Sequence, residues 1–287
     1  MLGIVGTIPI EDFPLTAGEV FLEDDFIVIG DNRISVNRGT PAMIAAAIET
    51  LKYMDQANNP FCYLVGDIGN GKGCRNLYKE LEDNVINTSF KTLAFHYFQP
   101  EVNLFKNVIR EIGKLPNKPI LIADAGFMYV AKMGGESSFF DLFTPDAGEL
   151  AYLADEKAPH PFYTRGFILH EDNRVPDLIK RAYKYNNAAK YLLVKGEKDY
   201  VANEDGIIQV IDSPVEEILE PIGGTGDTLT GIVSALIYSG IDIETASAKA
   251  ALVNRLAGFY ARPTPATQIY EIIKEIPRAL SEVFGEK

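Results

Sequence analysis

Five consecutive residues, Gly223-Gly224-Thr225-Gly226-Asp227, form the pattern best suited to chemistry in this 287-residue chain. They stand directly before an apolar helical stretch with Leu229, Ile232, Val233, Leu236 and Ile237 on one face. A helix start carries backbone N–H groups without intrahelical partners and about half a unit of positive charge. Glycines let a phosphate come close to those groups, so Gly224, Thr225 and Gly226 are expected to form an anion hole. Asp227 would stand at its mouth, where a carboxylate can take the proton of an attacking hydroxyl. The plainer alternative is a tight loop in which Asp227 only caps the helix.

A second glycine-rich stretch competes with it. Gly66-Asp67-Ile68-Gly69-Asn70-Gly71-Lys72-Gly73 nearly fits a Walker A loop between a strand and a helix, with Ile120–Asp124 as an apolar-then-acidic partner. Gly73, however, stands where a Ser or Thr must offer Mg²⁺ a hydroxyl. Two other readings stay open. One is a loop facing the substrate, where Gly71, Lys72 and Arg75 meet a phosphate or carboxylate; the other is a surface turn. Asp124 ends an apolar run, and ligands of open α/β sheets bind beyond the carboxyl ends of strands, so Asp124 is expected to line the acceptor pocket. His96, His160 and His170 are too scattered in sequence to suggest a zinc cluster, and the Cys62–Cys74 spacing offers no metal site.

These groups need a scaffold. Short apolar runs at Phe26–Gly30, Phe61–Val65, Leu93–Phe98, Ile120–Ala123, Phe139–Phe143 and Tyr191–Lys195 read as strands. Helical spacing fills Thr40–Met54, Arg75–Leu81, Val102–Ile112 and Val175–Tyr185 between them. Such alternation predicts βαβ units and a mostly parallel sheet with helices on both faces. Tyr200–Ala202 and Ile207–Ile211 flank an Asp205-Gly206 step that marks a hairpin. Helices are then expected over Thr225–Ser239, Ile243–Ala261 and Ile269–Val283. No repeat, low-complexity tract or long linker divides the chain, so residues 1–287 are expected to form a single domain.

Composition sets the remaining bounds. At 47% hydrophobic and 23% charged the chain reads as folded. A net charge of −13 argues against nucleic acid or an anionic membrane as partner, because no broad basic face can form. No segment approaches the roughly 20 apolar residues that cross a bilayer, and the apolar start Met1–Ile10 lacks the basic flank of a signal peptide. Two cysteines fit a reducing, cytoplasmic setting.

The glycine-rich centre resembles that of the ribokinase-like superfamily, whose signature ends in Gly-(Ala/Thr)-Gly-Asp at a helix start. Within it, the chain is most similar to the kinase-like domain of the ADP/ATP-dependent NAD(P)HX dehydratases. Three stretches carry the likeness: Thr144-Pro145-Asp146-Ala147-Gly148-Glu149-Leu150, then Val194-Lys195-Gly196 with its hairpin, then Ile222–Gly231. It covers roughly residues 115–285. It implies a three-layer α/β/α ribokinase-like fold with a mostly parallel central sheet, and use of Mg²⁺ and ATP or ADP. It further implies Asp227 as catalytic base, Gly224, Thr225 and Gly226 as anion hole, and Lys195, Gly196 and Gly223 beside the nucleotide. Glu149 would help hold Mg²⁺ through water. The first half departs from the family: Asp31–Thr40 replaces a usual Gly-Gly-Ser stretch, and Asp146 stands where His is common, on the substrate side. The resemblance therefore implies a nucleotide-dependent enzyme acting on a hydroxyl-bearing small molecule, either an NAD(P)HX dehydratase or a sugar, vitamin or nucleoside kinase. A nucleotide-binding sensor without catalysis is the alternative from another class. By analogy of fold, a homo-oligomer is expected.

Overall fold

A computed structural model of the chain describes residues 1–85, 88–159 and 175–285. The chain opens with β1 (Leu2–Ile8), β2 (Thr16–Glu23), β3 (Phe26–Ile29), β4 (Asn32–Ser35) and α1 (Thr40–Tyr53). Next come β5 (Phe61–Gly66), α2 (Lys72–Asn84), β6 (Thr92–His96), α3 (Val102–Gly113), β7 (Ile120–Ala123) and α4 (Gly126–Gly134). β8 (Leu142–Phe143), α5 (Ala147–Leu153), α6 (Val175–Lys184) and β9 (Tyr191–Val194) precede the hairpin β10 (Asp199–Asn203) and β11 (Gly206–Ile211). α7 (Thr225–Tyr238), α8 (Ile243–Ala261), α9 (Ile269–Ile273) and α10 (Ile276–Phe284) end it.

Among the described residues, eleven strands make one sheet in the order β11-β10-β9-β8-β7-β6-β1-β5-β2-β3-β4. The six central strands, β5 through β9 with β1, run parallel. Antiparallel strands flank them on both sides. Along β1, Leu2, Ile4 and Ile8 face α1, α7, α8 and α10, while Val5 faces the other layer, built on α2 to α6. Alternate side chains thus enter two separate cores. This is the expected α/β architecture of three layers.

Several boundaries differ from the sequence reading. β1, which the sequence reading does not assign, lies inside the parallel block between β6 and β5; all seven of its residues are buried. Phe26–Gly30 is a strand, but within an antiparallel meander, not a βαβ unit; Asp24 and Gly30 take the left-handed conformations of its turns. Of Phe139–Phe143 only Leu142 and Phe143 pair as strand; a 3₁₀ turn spans Ser137–Phe139, and the Asp141 carboxylate accepts the Leu121 N–H at 2.8 Å. Ile269–Val283 is two helices, with Pro277 starting the second. α4 and α5 were not anticipated. No described helix is long and apolar enough to cross a membrane.

Candidate active site

Gly224 is the N-cap of α7, and its φ of 108° is costly for any residue with a side chain. A Cβ there would also stand 2.8 Å from Ile269 Cγ1 and 3.3 Å from Arg38 Cα. No side chain caps this end, so the first N–H groups of the helix stay available to an anion. Asn254 of α8 fixes the first turn: its Nδ2 donates to Thr225 O at 3.0 Å, and its Oδ1 accepts from Thr228 Oγ1 at 2.7 Å.

Asp227 lies in that first turn, 8% exposed. Its Oδ1 is 3.0 Å from His96 Nε2, and its Oδ2 accepts the Gly39 N–H at 2.6 Å. Burial alone would push this carboxyl up. The His96 hydrogen bond, Lys195 and the Gly39 N–H outweigh burial and hold it below its ordinary value. Asp227 therefore stays ionised, with lone pairs that neither donor occupies.

Beneath it, Asp124 at the end of β7 is 1% exposed. Lys195 Nζ lies 3.0 and 2.9 Å from its two oxygens, Thr230 Oγ1 is 2.6 Å from Oδ2, and the Ala125 N–H reaches Oδ1 at 2.8 Å. Thr144 Oγ1 meets the Thr230 hydroxyl at 3.0 Å. Burial would lower the Lys195 ammonium; Asp124 and Glu149 hold it above its ordinary value. The same ammonium is 3.5 Å from where a Cβ on Gly226 would be, so Lys195 borders the anion hole. His96, Asp124 and Asp227 bring possible ligand atoms within 4.8 Å of one another. The hydrogen bonds above already account for these atoms.

A cavity of about 350 Å³ is lined by Thr7, Arg38, Gly39, Thr40, Asp67, Gly69, Tyr97 and neighbours; Asp227 is not in its wall but is bonded to Gly39, which is. Arg38 is exposed, and its stem lies 3.5 Å from the Cβ position of Gly223, so it joins cavity and glycine loop. Of the residues expected on the substrate side, Asp124, Gly71, Lys72 and Asp146, none lines this cavity. Asp124 is bound inward to Lys195. Asp146 is an exposed N-cap of α5, in a capping box with Glu149. Lys72 faces solvent.

The Walker A reading fails on a specific ground. Asp67 Oδ1 accepts from the Gly69 and Gly71 N–H groups at 2.8 and 3.1 Å, and Oδ2 from the Cys74 N–H at 2.9 Å. The donors that would cradle a phosphate hold the protein's own carboxylate. Burial pushes the Cys74 thiol up to about 12, which removes it as a nucleophile.

Glu149 touches Tyr129 through Oε1 at 3.4 Å as well as capping α5. Burial and Asp124 push its carboxyl up. Even without Glu149, Asp124, Asp146 and Asp227 against one Lys195 leave an anionic surplus, which is the donor chemistry that Mg²⁺ prefers. Sequence reasoning missed His96, Gly39, Thr40 and Thr230. His96 was dismissed as a scattered histidine; His160 and His170 lie outside the described residues.

The NAD(P)H-hydrate dehydratase family model matches residues 102–278. An uncharacterized protein of Methanocaldococcus jannaschii is 46% identical over 83% of this chain and 98% of its own length. A bifunctional NAD(P)H-hydrate repair enzyme of Pyrobaculum aerophilum is 27% identical over 61% of this chain, but only 32% of that larger protein is covered. Among solved structures, a ribokinase-like superfamily protein of Enterococcus faecalis superposes with a TM-score of 0.59 at 12% identity, over 99% of this chain and 88% of that one. The chain is an enzyme on the ribokinase-like fold and belongs to the NAD(P)H-hydrate dehydratase family of carbohydrate-kinase type.

Proposed function

We propose that this enzyme uses ATP or ADP to phosphorylate a hydroxyl of a small molecule, with a hydrated nicotinamide nucleotide as the first acceptor to test. The observation that carries the reading is Asp227. It is held ionised in the first turn of an uncapped, glycine-started helix, and one of its oxygens accepts the N–H of Gly39, which lines a cavity. Asp227 takes the acceptor's hydroxyl proton as that oxygen attacks the terminal phosphorus. The bond from phosphorus to the nucleotide's bridging oxygen breaks, and the shortened nucleotide leaves with the electron pair. The N–H groups of Thr225 and Gly226, with Lys195 and Arg38, face the charge that builds on the transferred group. Gly196 and Gly223 flank the phosphates. Glu149 would hold Mg²⁺ through water, and the ion would neutralise phosphate charge. For a nicotinamide hydrate, the original ring C–O bond of that phosphate ester then breaks as a ring proton leaves, which gives phosphate and restores the double bond.

A kinase whose phosphoester is the final product is the second reading. It is favoured by one observation: the residues lining the cavity run from Thr7 to Gln99, all outside the family match that begins at 102. Buried, unpaired Cys62 and Cys74 support a cytoplasmic setting for either. The test is recovery of NADH from NADH hydrate with Mg²⁺ and ATP or ADP, using wild type and Asp227→Asn. Recovery by wild type alone supports the repair reading and the base together. Nucleotide binding without recovery overturns the nicotinamide acceptor and leaves kinase acceptors to be assayed.

A further inference from the structure

We infer that His96 is a positioning residue: a Thr40–His96–Asp227 hydrogen-bond chain orients the Asp227 carboxylate towards the acceptor cavity. The inference rests on the reading of Asp227 as base and adds a residue to it. His96 ends β6 and is fully buried, with Nδ1 3.0 Å from Thr40 Oγ1 and Nε2 3.0 Å from Asp227 Oδ1. An ionised carboxylate only accepts, so Nε2–H donates to it. In the neutral ring this leaves Nδ1 to accept the Thr40 hydroxyl proton. Thr40 thereby selects the tautomer that Asp227 needs.

The chain is built into the fold from four elements. Gly6 of β1 leaves the space in which α1 and β6 meet: a Cβ on it would stand 2.7 Å from Thr40 Oγ1 and 2.8 Å from His96 O. Gly39, just before α1, holds the second Asp227 oxygen. With both oxygens held by one donor each, the carboxylate is fixed in rotation. The other charged or titratable groups facing the pair are Asp124, 3.8 Å from His96 Nε2, Lys195 and the Tyr97 phenol. Tyr97 follows His96 with a φ of 52°, and its ring packs 4.3 Å from the imidazole centroid. Such a left-handed tyrosine at a strand end is the kind of strain that a functional site retains.

Two measurements test this. The imidazole ¹⁵N spectrum of the full chain, assigned by loss of one resonance pair in His96→Leu, reads the tautomer without any acceptor. A proton on Nε2 and none on Nδ1 is expected, and the reverse overturns the inference. Kinetics with the acceptor that turns over then separates positioning from structure. His96→Leu should lower kcat about 10- to 100-fold while nucleotide Kd stays within about twofold. Loss of a charged hydrogen bond should move the acid limb of the pH–kcat/KM profile up by about one to two units. His96→Gln, which keeps a donor at the Nε2 position, should restore most of kcat and the limb. Unchanged kcat and limb in His96→Leu, with Asp227→Asn inactive, overturn the inference and leave the base standing. A turning-over Asp227→Asn overturns the base itself.

Discussion

Replacing Lys195 by Met removes the cation from a buried pair and keeps most of its volume. Lys195 Nζ contacts both Asp124 oxygens, and the two side chains are only 12% and 2% exposed. After the change Asp124 retains the Thr230 hydroxyl and the Ala125 N–H but no counter-charge within contact. Stranding one member of a buried pair costs about 3–5 kcal/mol, mostly through the unpaired charge left behind. For a chain of this size each kcal/mol lowers Tm by roughly 2–4 °C, so a fall of about 6–20 °C is expected. The partner change gives the sign. Asp124→Asn in the Lys195→Met background removes the stranded charge and should recover most of the loss, a coupling of about 2 kcal/mol or more. Thermal melts and urea midpoints of wild type, Lys195→Met, Asp124→Asn and the double variant at pH 7 measure it. A Lys195→Met variant within about 1 kcal/mol of wild type would refute the reasoning, as would a double variant no more stable than the single one.

Four further outcomes are expected. A Cβ on Gly231 would overlap the Met43 carbonyl where α1 and α7 touch, so Gly231→Ala should destabilise by about 1–3 kcal/mol or more, read by a circular-dichroism melt. Burial would raise the Asp67 carboxyl, but the Cys74, Gly69 and Gly71 N–H groups hold it below its ordinary value of 3.8. Because the folded value is the lower one, its stabilising share is present above that pH and lost as pH falls through the folded value. Urea midpoints of wild type and Asp67→Asn should therefore differ at pH 7 and converge in acid. Lys72→Ala should leave nucleotide affinity within about twofold by titration calorimetry, since its loop is filled by Asp67; tenfold loss would revive the Walker A reading. Arg38→Ala should lower kcat by about 10²-fold with an unchanged melt, as removal of a donor to developing charge does.

What could be read in the sequence was local. The Gly223–Asp227 centre announces itself because glycines and a 3.6-residue apolar period are adjacent in the chain, and α7 begins where that pattern says. The hairpin at Asp205-Gly206 is legible for the same reason. β1 was not, because Gly3 and Gly6 dilute its apolar run; Gly6 is small to make room for Thr40, a residue 34 positions away. The strand expected at Phe139–Phe143 shrank because Asp141 turns its carboxylate onto a backbone N–H of β7, a contact with no sequence period. His96 is the sharpest case. One histidine at the end of a short strand carries no signal until β6 lies beside β1 and α7 closes over both.

The candidate centre sits on a seam. Asp227, Lys195, Asp124 and Thr230 come from the stretch that matches the family, residues 102–278. The two groups that hold Asp227, His96 and the Gly39 N–H, come from the first hundred residues, as does the cavity wall. The nucleotide side can therefore be inherited while the acceptor side is rebuilt, provided the replacement still presents two donors to the same carboxylate. Here His96 and the Gly39 N–H do so, and Gly39 lies in the Asp31–Thr40 segment that stands where the resemblance leads one to expect a glycine-serine stretch. Under the proposed function, acceptor specificity is to be sought in Thr7, Arg38, Asp67 and Tyr97, which line the cavity and precede the stretch matched by the family.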